Sequence, residues 1–401
     1  MRVAVSVSHL WLDAYRATET IRLIEGDREL FEQEIKPFWK GRSNYEEWLA
    51  QIPDDTKALR DAGVIYINRK AVRGFGETTA GYEWLISVGL EGIESKIKAR
   101  REELDLTRPG DYEKDYYLKS LLIVADGIRI LATRYSREAE IMAAAESDPG
   151  RRDELLEISR ICNRVPAQPA STFREALQSL YFYQTCIFME QNAASYNPGR
   201  MDQYLWPYFK NDLASGALTR EQAQELLACL WVKFSEPCLF QDEVTAEFAA
   251  GYPMFQNVCV GGVDEAGRDA VNDLSHMILQ ATMDVQLYQP SLSVRYSLAK
   301  NPNTFLRKIV ELISLGTGFP AFHNDDIGIR AMPTEAAPAV FIAADAHGDF
   351  VAATLLTQGL VAGKGIADLP GNFTGCQAEA FAVGRDPEIE LLFTRREAVI
   401  D

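Results

Sequence analysis

The apolar positions between Tyr112 and Glu146 recur at helical spacing. Tyr117, Leu121, Ala125, Ile128, Leu131 and Tyr135 share one face, which predicts a long amphipathic helix. Upstream, the segment Pro37-Phe38-Trp39-Lys40-Gly41-Arg42 ends an earlier helical stretch, and residues 1–165 read as mainly helical. Thr172 is a suitable N-cap for a further helix carrying Phe173, Ala176, Leu177, Leu180, Tyr181, Ile187 and Phe188. The stretch from Asn192 to Arg200, rich in Asn, Ser, Pro and Gly, reads as a loop. Thr219 and Gln222 have the spacing of a capping box, ahead of a helix that turns Leu226, Leu227, Leu230, Trp231 and Phe234 inward. Asn301-Pro302 places a capping residue before a proline at the first helical position, and Gly316 and Gly318 close that helix.

Short strand-like runs lie between these helices: Val258-Cys259-Val260-Gly261-Gly262, Ser291 to Tyr296, and Gly318 to Phe322. Strands separated by helices of this length predict an α/β layer or barrel behind a large helical N-terminal part. After Met332 the pattern changes. Residues 333–401 are rich in Ala and Gly, and Pro333 and Pro338 interrupt any helix continuing from Ile329. The expected organisation is a helical part over 1–165, an α/β core over 166–332, and a weakly packed tail or small separate unit over 333–401.

Composition narrows the function classes. The chain has 401 residues, 47% hydrophobic, enough for a large core. The most apolar candidate for a membrane span, Leu121 to Ala132, is broken by Asp126 and Arg129. His9 and Asp13 interrupt the apolar N-terminus, against a signal peptide. A net charge of −17 with no basic cluster argues against nucleic acid and anionic membranes as partners. Cys162, Cys186, Cys229, Cys238, Cys259 and Cys376 contain no C-x-x-C pair. They read as reduced, buried thiols of a cytoplasmic protein. His9, His276, His323 and His347 are too scattered to suggest a metal cluster. No nucleophile elbow, P-loop or dinucleotide fingerprint supports an ordinary hydrolase or nucleotide-dependent enzyme.

Four segments, in order, carry a resemblance. They are Val165-Pro166-Ala167 through Gln178; Gly199-Arg200-Met201-Asp202-Gln203-Tyr204 with Pro207-Tyr208; Phe255 to Val258 with Gly261-Gly262, Gly267-Arg268-Asp269 and Asn272 to Ser275; and Gln289 to Arg295 with Pro320 to Asp326. Together they resemble the glycyl radical enzymes, the pyruvate formate-lyase-like superfamily, and its dehydratase-like branch more than pyruvate formate-lyase proper. The match covers roughly residues 20–332. The resemblance implies a ten-stranded α/β barrel built from two half-barrels, of which this chain would supply the first half with its helical N-terminal part. Family members are usually about twice this length.

The resemblance also implies a chemistry. An activating enzyme with an iron–sulfur cluster and S-adenosylmethionine removes a hydrogen from a glycine near the family's C-terminus. The radical passes to a cysteine at the barrel centre, which abstracts hydrogen from a small polar substrate. No cofactor is bound permanently. The glycine's usual R-V-x-G-Y-like motif is not matched, since the Arg-Val pairs are Arg2-Val3 and Arg164-Val165. The cysteine's G-C-V-E-like motif is expected near Asp349-Phe350, where there is none. Cys376, in Thr374-Gly375-Cys376-Gln377-Ala378-Glu379, has a glycine before it and a glutamate one position too far after it. It is either the catalytic cysteine displaced or a chance Gly-Cys, and the offset favours chance.

Relatives acting on glycerol or choline carry a substrate-facing His-Ser pair ahead of the Gly-Arg pair. Here Ala194-Ser195 stands at that place, so Ser195 is a candidate substrate ligand or an ordinary loop serine. Asn324, with Asp325 and Asp326, follows a strand end, and could face substrate or cap the next helix; the cap is favoured. Arg200, Asp202 and Gln203 are expected to position the loop rather than touch substrate. The leading expectation is a shortened radical lyase or dehydratase, inactive alone, with the activating enzyme as family partner and possible homo-oligomerisation. The alternative is a non-catalytic interaction protein derived from that family.

Overall fold

The computed structural model describes residues 25–42, 44–65, 79–191, 195–237 and 254–331. The described residues of the N-terminal part are mainly helical. Among the described residues four short helices come first: α1 (Glu25–Leu30), which continues through a wider π-turn (Phe31–Ile35) into α2 (Lys36–Trp39), then α3 (Asn44–Gln51) and α4 (Asp54–Asp61). The larger helices α5 (Tyr82–Glu102), α6 (Pro109–Ala145), α7 (Pro149–Arg164) and α8 (Phe173–Gln191) follow. Thr172 caps α8, its hydroxyl accepting from the Glu175 amide at 3.2 Å.

The long helix α6 exists, but its inner face is rotated from the expected one. Leu118, Ala125, Ala132 and Ala139 are buried at seven-residue intervals, with Ile128, Ser136 and Ala143 beside them. Tyr135 points outward instead. Large residues define the apparent sequence stripe, but α7 packs closely against α6 and selects the small ones. Ser136 and Ser159 meet across that seam at 3.0 Å.

Gly89 explains how the helical part meets the core. It breaks α5 with φ 68°, and a Cβ there would lie 2.5 Å from the backbone of Gln168. Residues 166–170 fill the break: Leu90 and Glu91 amides donate to the carbonyls of Pro166 and Ala167, and the Ala170 amide donates to that of Ile86. The Val-Pro-Ala-Gln-Pro-Ala run is thus a docking strap for α5.

The core is an α/β layer. After α9 (Met201–Tyr204), α10 (Trp206–Ser215) and α11 (Arg220–Ser235), three strands alternate with helices: β1 (Asn257–Gly261), α12 (Asp273–Val285), β2 (Ser291–Tyr296), α13 (Asn303–Ser314), β3 (Ala321–Asn324) and α14 (Asp325–Ala331). The strands are parallel in the order β1-β2-β3, with Val258 opposite Leu292 and Val294 opposite Phe322. Consecutive parallel strands require crossover helices, which α12 and α13 supply. Val258, Val260, Leu292 and Val294 join Leu227, Leu230, Trp231, Phe234, Ile278 and Phe305 in the main apolar cluster. Capping boxes start α11 (Thr219, Gln222) and α12 (Asn272, Ser275).

Two expectations shift by register. The third strand begins at Ala321 rather than Gly318. Asn301 is not the cap of α13, which starts after Pro302. The Asn301 side chain instead accepts from the Ser297 amide at 2.7 Å and donates to the Gly262 carbonyl (2.7 Å) and to Asp269 (2.6 Å). Cys162 and Cys259 are buried thiols as expected, but Cys229 is exposed. Among the described residues no helix is long and apolar enough to cross a membrane, and none of the His, Cys, Asp and Glu side chains cluster as metal ligands. The whole 333–401 tail assignment, including Cys376, lies outside the described residues.

Candidate functional site

The segment from Ser195 to Arg200 runs along the edge of β1 that faces away from β2. The Gly199 amide donates to the Asn257 carbonyl (3.1 Å), and its own carbonyl accepts from the Cys259 amide (2.8 Å). One residue therefore pairs like a strand. Ahead of it, the Ser195 amide donates to the Met254 carbonyl at 2.7 Å. Asn197 accepts the Asn257 amide on its side-chain oxygen at 2.9 Å.

A buried amide network holds this edge. The Gln184 side chain donates to the Tyr196 carbonyl (2.8 Å) and to Gln256 Oε1 (3.1 Å), and accepts from the Tyr82 hydroxyl. Gln256 donates through Nε2 to the Phe234 carbonyl (2.6 Å) and through its amide to Gln289 Oε1 (2.8 Å). All three glutamines are buried, so each bond also avoids the cost of an unpaired polar group. The network joins α5, α8, α11 and the sheet to the Ser195–Arg200 segment. Spacing alone did not reveal it, because isolated glutamines carry no periodic signal.

Arg200, Asp202 and Gln203 position the turn. Arg200 donates to the carbonyls of Gly261 (2.6 Å) and Val263 (3.1 Å). Asp202 accepts from the Gly261 amide (2.8 Å) and the Ser275 hydroxyl (2.6 Å). Gln203 donates to the Ala270 carbonyl at 2.8 Å. Burial pushes the Asp202 carboxyl above its ordinary range, against the pull of Arg200 and these hydrogen bonds. The Tyr204 hydroxyl donates to the Pro198 carbonyl at 2.9 Å, and burial followed by the nearby Asp202 charge raises its pKa.

Ser195 itself is half-buried and lies in the left-handed region, with φ 65°. Phe255, next to its backbone partner Met254, has φ 53°. Such conformations cost a non-glycine residue on the order of 1–3 kcal/mol and persist where the surroundings over-determine them. Two of them flank one backbone hydrogen bond, and Phe255 has no sequence signature that announced it.

Asn324 sits elsewhere. Its side-chain oxygen accepts the Asp326 amide at 2.9 Å, so it caps α14. Asp326 accepts from the Ser297 hydroxyl (2.6 Å) and the Leu298 amide (2.8 Å). Asn324 pairs with Tyr296 at the C-terminal end of the sheet, whereas Ser195 lies beyond the N-terminal end of β1. The length of β1, about 13 Å, separates the two levels. The structure does not bring Ser195 and Asn324 together. Ala194, the histidine position of the resemblance, and Cys376 lie outside the described residues.

Comparison with known proteins gives this arrangement a context. A probable dehydratase, YbiW, of Escherichia coli (strain K12) is 36% identical over 300 residues, covering 74% of this chain and 37% of that protein. Trans-4-hydroxy-L-proline dehydratase of Clostridioides difficile is 34% identical over 311 residues, 77% of this chain and 39% of the enzyme. A solved structure from a study of 1,2-propanediol dehydration in Roseburia inulinivorans superposes with a TM-score of 0.75 at 36% identity, covering 82% of this chain and 43% of that one. The chain thus spans about two-fifths of the length of these relatives. The pyruvate formate lyase-like family model matches residues 7–345, so the likeness continues past Met332, where the motifs stop. With a match over most of its length, the chain belongs to the pyruvate formate lyase-like family of glycyl radical enzymes.

Proposed function

We propose that this chain is the N-terminal portion of a radical dehydratase or C–C lyase acting on a small polar metabolite, and that it is inactive alone. The observation that carries the reading is Ser195. A strained, half-buried serine is fixed by backbone and amide hydrogen bonds at the place where the resemblance puts a substrate hydroxyl ligand. A serine hydroxyl can donate to and accept from a substrate hydroxyl. Asn324 is the weaker candidate, since its side-chain oxygen is engaged as a cap.

The parallel β1-β2-β3 order, with Gly199 extending it, supports reading the core as the first half of the family's barrel. The radical glycine would supply hydrogen-abstracting power through a cysteine. No motif of this chain fits that glycine, so no step is derived through it. Cys376 stays a chance Gly-Cys in this reading. The radical-activating enzyme remains the family partner and the cytoplasm the expected place of action.

The test is anaerobic incubation of the 401-residue chain with a family activating enzyme and S-adenosylmethionine. No glycyl doublet should appear in electron paramagnetic resonance. A stable doublet assigned to a glycine of this chain would overturn the inactivity. Substrate contact is tested separately: Ser195→Ala should weaken binding of a diol or hydroxylated amino acid by at least tenfold, with unfolding unchanged. Equal binding by the variant would remove Ser195 from the site.

A further inference from the structure

The sheet of the core has two unlike faces. Val258, Val260, Leu292 and Val294 pack into the main apolar cluster with the surrounding helices. Side chains alternate along a strand, so Asn257, Cys259, Ser293 and Arg295 share the other face. Ala321 and His323 of β3 pair with Ser293 and Arg295 and continue it. Asn257, Cys259, Ser293 and Arg295 are each no more than 7% exposed. Burying polar groups is costly unless each finds a partner.

Asn257 departs from that rule at one atom. Its backbone amide donates to Asn197 Oδ1 (2.9 Å), and its carbonyl accepts from the Gly199 amide (3.1 Å). Its side-chain oxygen accepts the Ser293 hydroxyl at 3.1 Å. Nδ2 has no hydrogen-bond partner. The amide group is therefore held at one end and carries two unused N–H donors at the other. A buried donor left unpaired weakens the fold, and its persistence asks for an acceptor that the free chain does not supply.

The orphaned donor stands close to the candidate site. The Ser195 amide bonds to the carbonyl of Met254, three residues before Asn257. Asn197, two residues after Ser195, holds the Asn257 amide. Segments of two and three residues span at most about 7 and 10 Å, so Ser195 and Asn257 are joined by two short, cross-bonded stretches at the same end of β1. The charges of this face are already settled. Among the described residues its arginine is Arg295, which is bound to Asp325 at 2.9 Å. Burial, with Arg295 beside it, lowers the pKa of His323 against the pull of Asp325 and keeps the imidazole neutral at pH 7.

We propose that Asn257 Nδ2 is a second substrate ligand of the Ser195 site, donating to the oxygen of an uncharged hydroxyl group, and that the site selects a vicinal diol over a hydroxy acid. This rests on reading Ser195 as a substrate ligand. A neutral amide donor satisfies a hydroxyl oxygen fully. A carboxylate there would be a buried charge facing an arginine already paired, which is unfavourable. Ser293 acts as a positioning residue, since its hydroxyl turns the amide so that Nδ2 is the end left over.

The test uses 1,2-propanediol and lactate, which share a carbon skeleton and the C2 hydroxyl but end in a hydroxymethyl group and a carboxylate. Titration calorimetry of the 401-residue chain should show the diol binding at least tenfold more tightly. Asn257→Leu combined with Ser293→Ala removes both partners of one buried bond together, which a fold tolerates better than removing either. This variant should bind the diol at least tenfold more weakly, with an unchanged urea midpoint. In chain labelled with 15N-asparagine, the Asn257 side-chain NH2 signal, assigned by its loss in Asn257→Leu, should shift when the diol is added. That readout stands even where the double variant fails to fold. Lactate binding as tightly as the diol, or diol binding that leaves the Asn257 signal in place, would overturn the proposal. Diol binding lost in Ser195→Ala but kept in the double variant would overturn it and leave the Ser195 reading standing. A parent chain that does not bind the diol, or binds it no better than Ser195→Ala, would overturn both.

Discussion

Arg295 on β2 and Asp325 at the start of α14 form a bidentate ion pair, with Nε to Oδ1 and Nη2 to Oδ2 both at 2.9 Å. Both side chains are 1% exposed. The Val263 amide donates to the same carboxylate at 2.9 Å. The pair therefore ties β2, the turn after β1 and the helix after β3 together at one end of the sheet. Gly262 is what lets them meet. It has φ 72°, and a Cβ there would lie 2.5 Å from Asp325 Oδ2 and 2.6 Å from Arg295 Cβ.

Removing one member of a buried pair strands the other, which costs about 3–5 kcal/mol. Asp325→Ala should lower unfolding stability by about that amount in urea titrations. Gly262→Ala should destabilise through both its φ and the clash. A double variant, Arg295→Met with Asp325→Leu, should recover most of the Asp325→Ala loss. Failure to recover would mean that Arg295 holds the sheet through bonds other than this pair.

Glu175 governs the acid side of stability. Burial pushes its carboxyl up, but the Ser171 amide (2.9 Å) and hydroxyl (2.7 Å), with Arg164 and Arg160, outweigh burial and hold it below the ordinary range. A depressed carboxyl stabilises the fold above its unfolded pKa of about 4.3, and that contribution is lost as pH falls through the folded value. Glu175→Gln should cost about 1 kcal/mol at pH 7, because solvent screens the partly exposed arginines. The gap between variant and parent should close below pH 4. A pH-independent gap would assign the loss to packing.

The helical part and the α/β core were legible because their signals are local. Thr172 and the Thr219–Gln222 box announce helix starts by spacing alone, and all three capping bonds are present. The rotated face of α6 was not legible. Which stripe is buried depends on how closely α7 approaches, and Ala125, Ala132 and Ala139 look unremarkable in sequence. Asn301 shows the same limit. Its place before Pro302 suits a cap, but the nearby Gly262 carbonyl and Asp269 compete for its amide and win. Around Ser195, the serine could be placed by counting from Gly199-Arg200. The supporting glutamines could not, because Gln184, Gln256 and Gln289 converge only in three dimensions.

Thiol reactivity should rank the cysteines by burial. Burial pushes Cys162 up to about 11, and burial with the nearby Glu190 pushes Cys186 up to about 11. Thiolate is the reactive form, so both should be nearly inert to iodoacetamide at pH 7.5. Cys229, which is exposed, should be alkylated first among the described cysteines. Raising the pH to 9.5 should accelerate Cys186 more than tenfold in peptide mass analysis. Rapid labelling of Cys186 at neutral pH would show that the end of α8 opens in solution.

Ser195 offers a test of whether its conformation is kept for the fold or for a site. The left-handed backbone is costly for serine and nearly free for glycine. The backbone bond to Met254 and the network around Gln184 need no serine side chain, since they use main-chain atoms of residues 195 and 196. Ser195→Gly should therefore stabilise the chain by up to about 1 kcal/mol, after the greater unfolded-state freedom of glycine is set against the relieved strain. Ser195→Ala keeps the strain and should leave stability within about 0.5 kcal/mol of the parent. The combination to look for is a more stable glycine variant that binds hydroxylated ligands less well, because strain retained at the expense of stability is what a binding role predicts. A glycine variant less stable than the parent would show that the serine side chain packs structurally, and would withdraw the strain from the argument for a site.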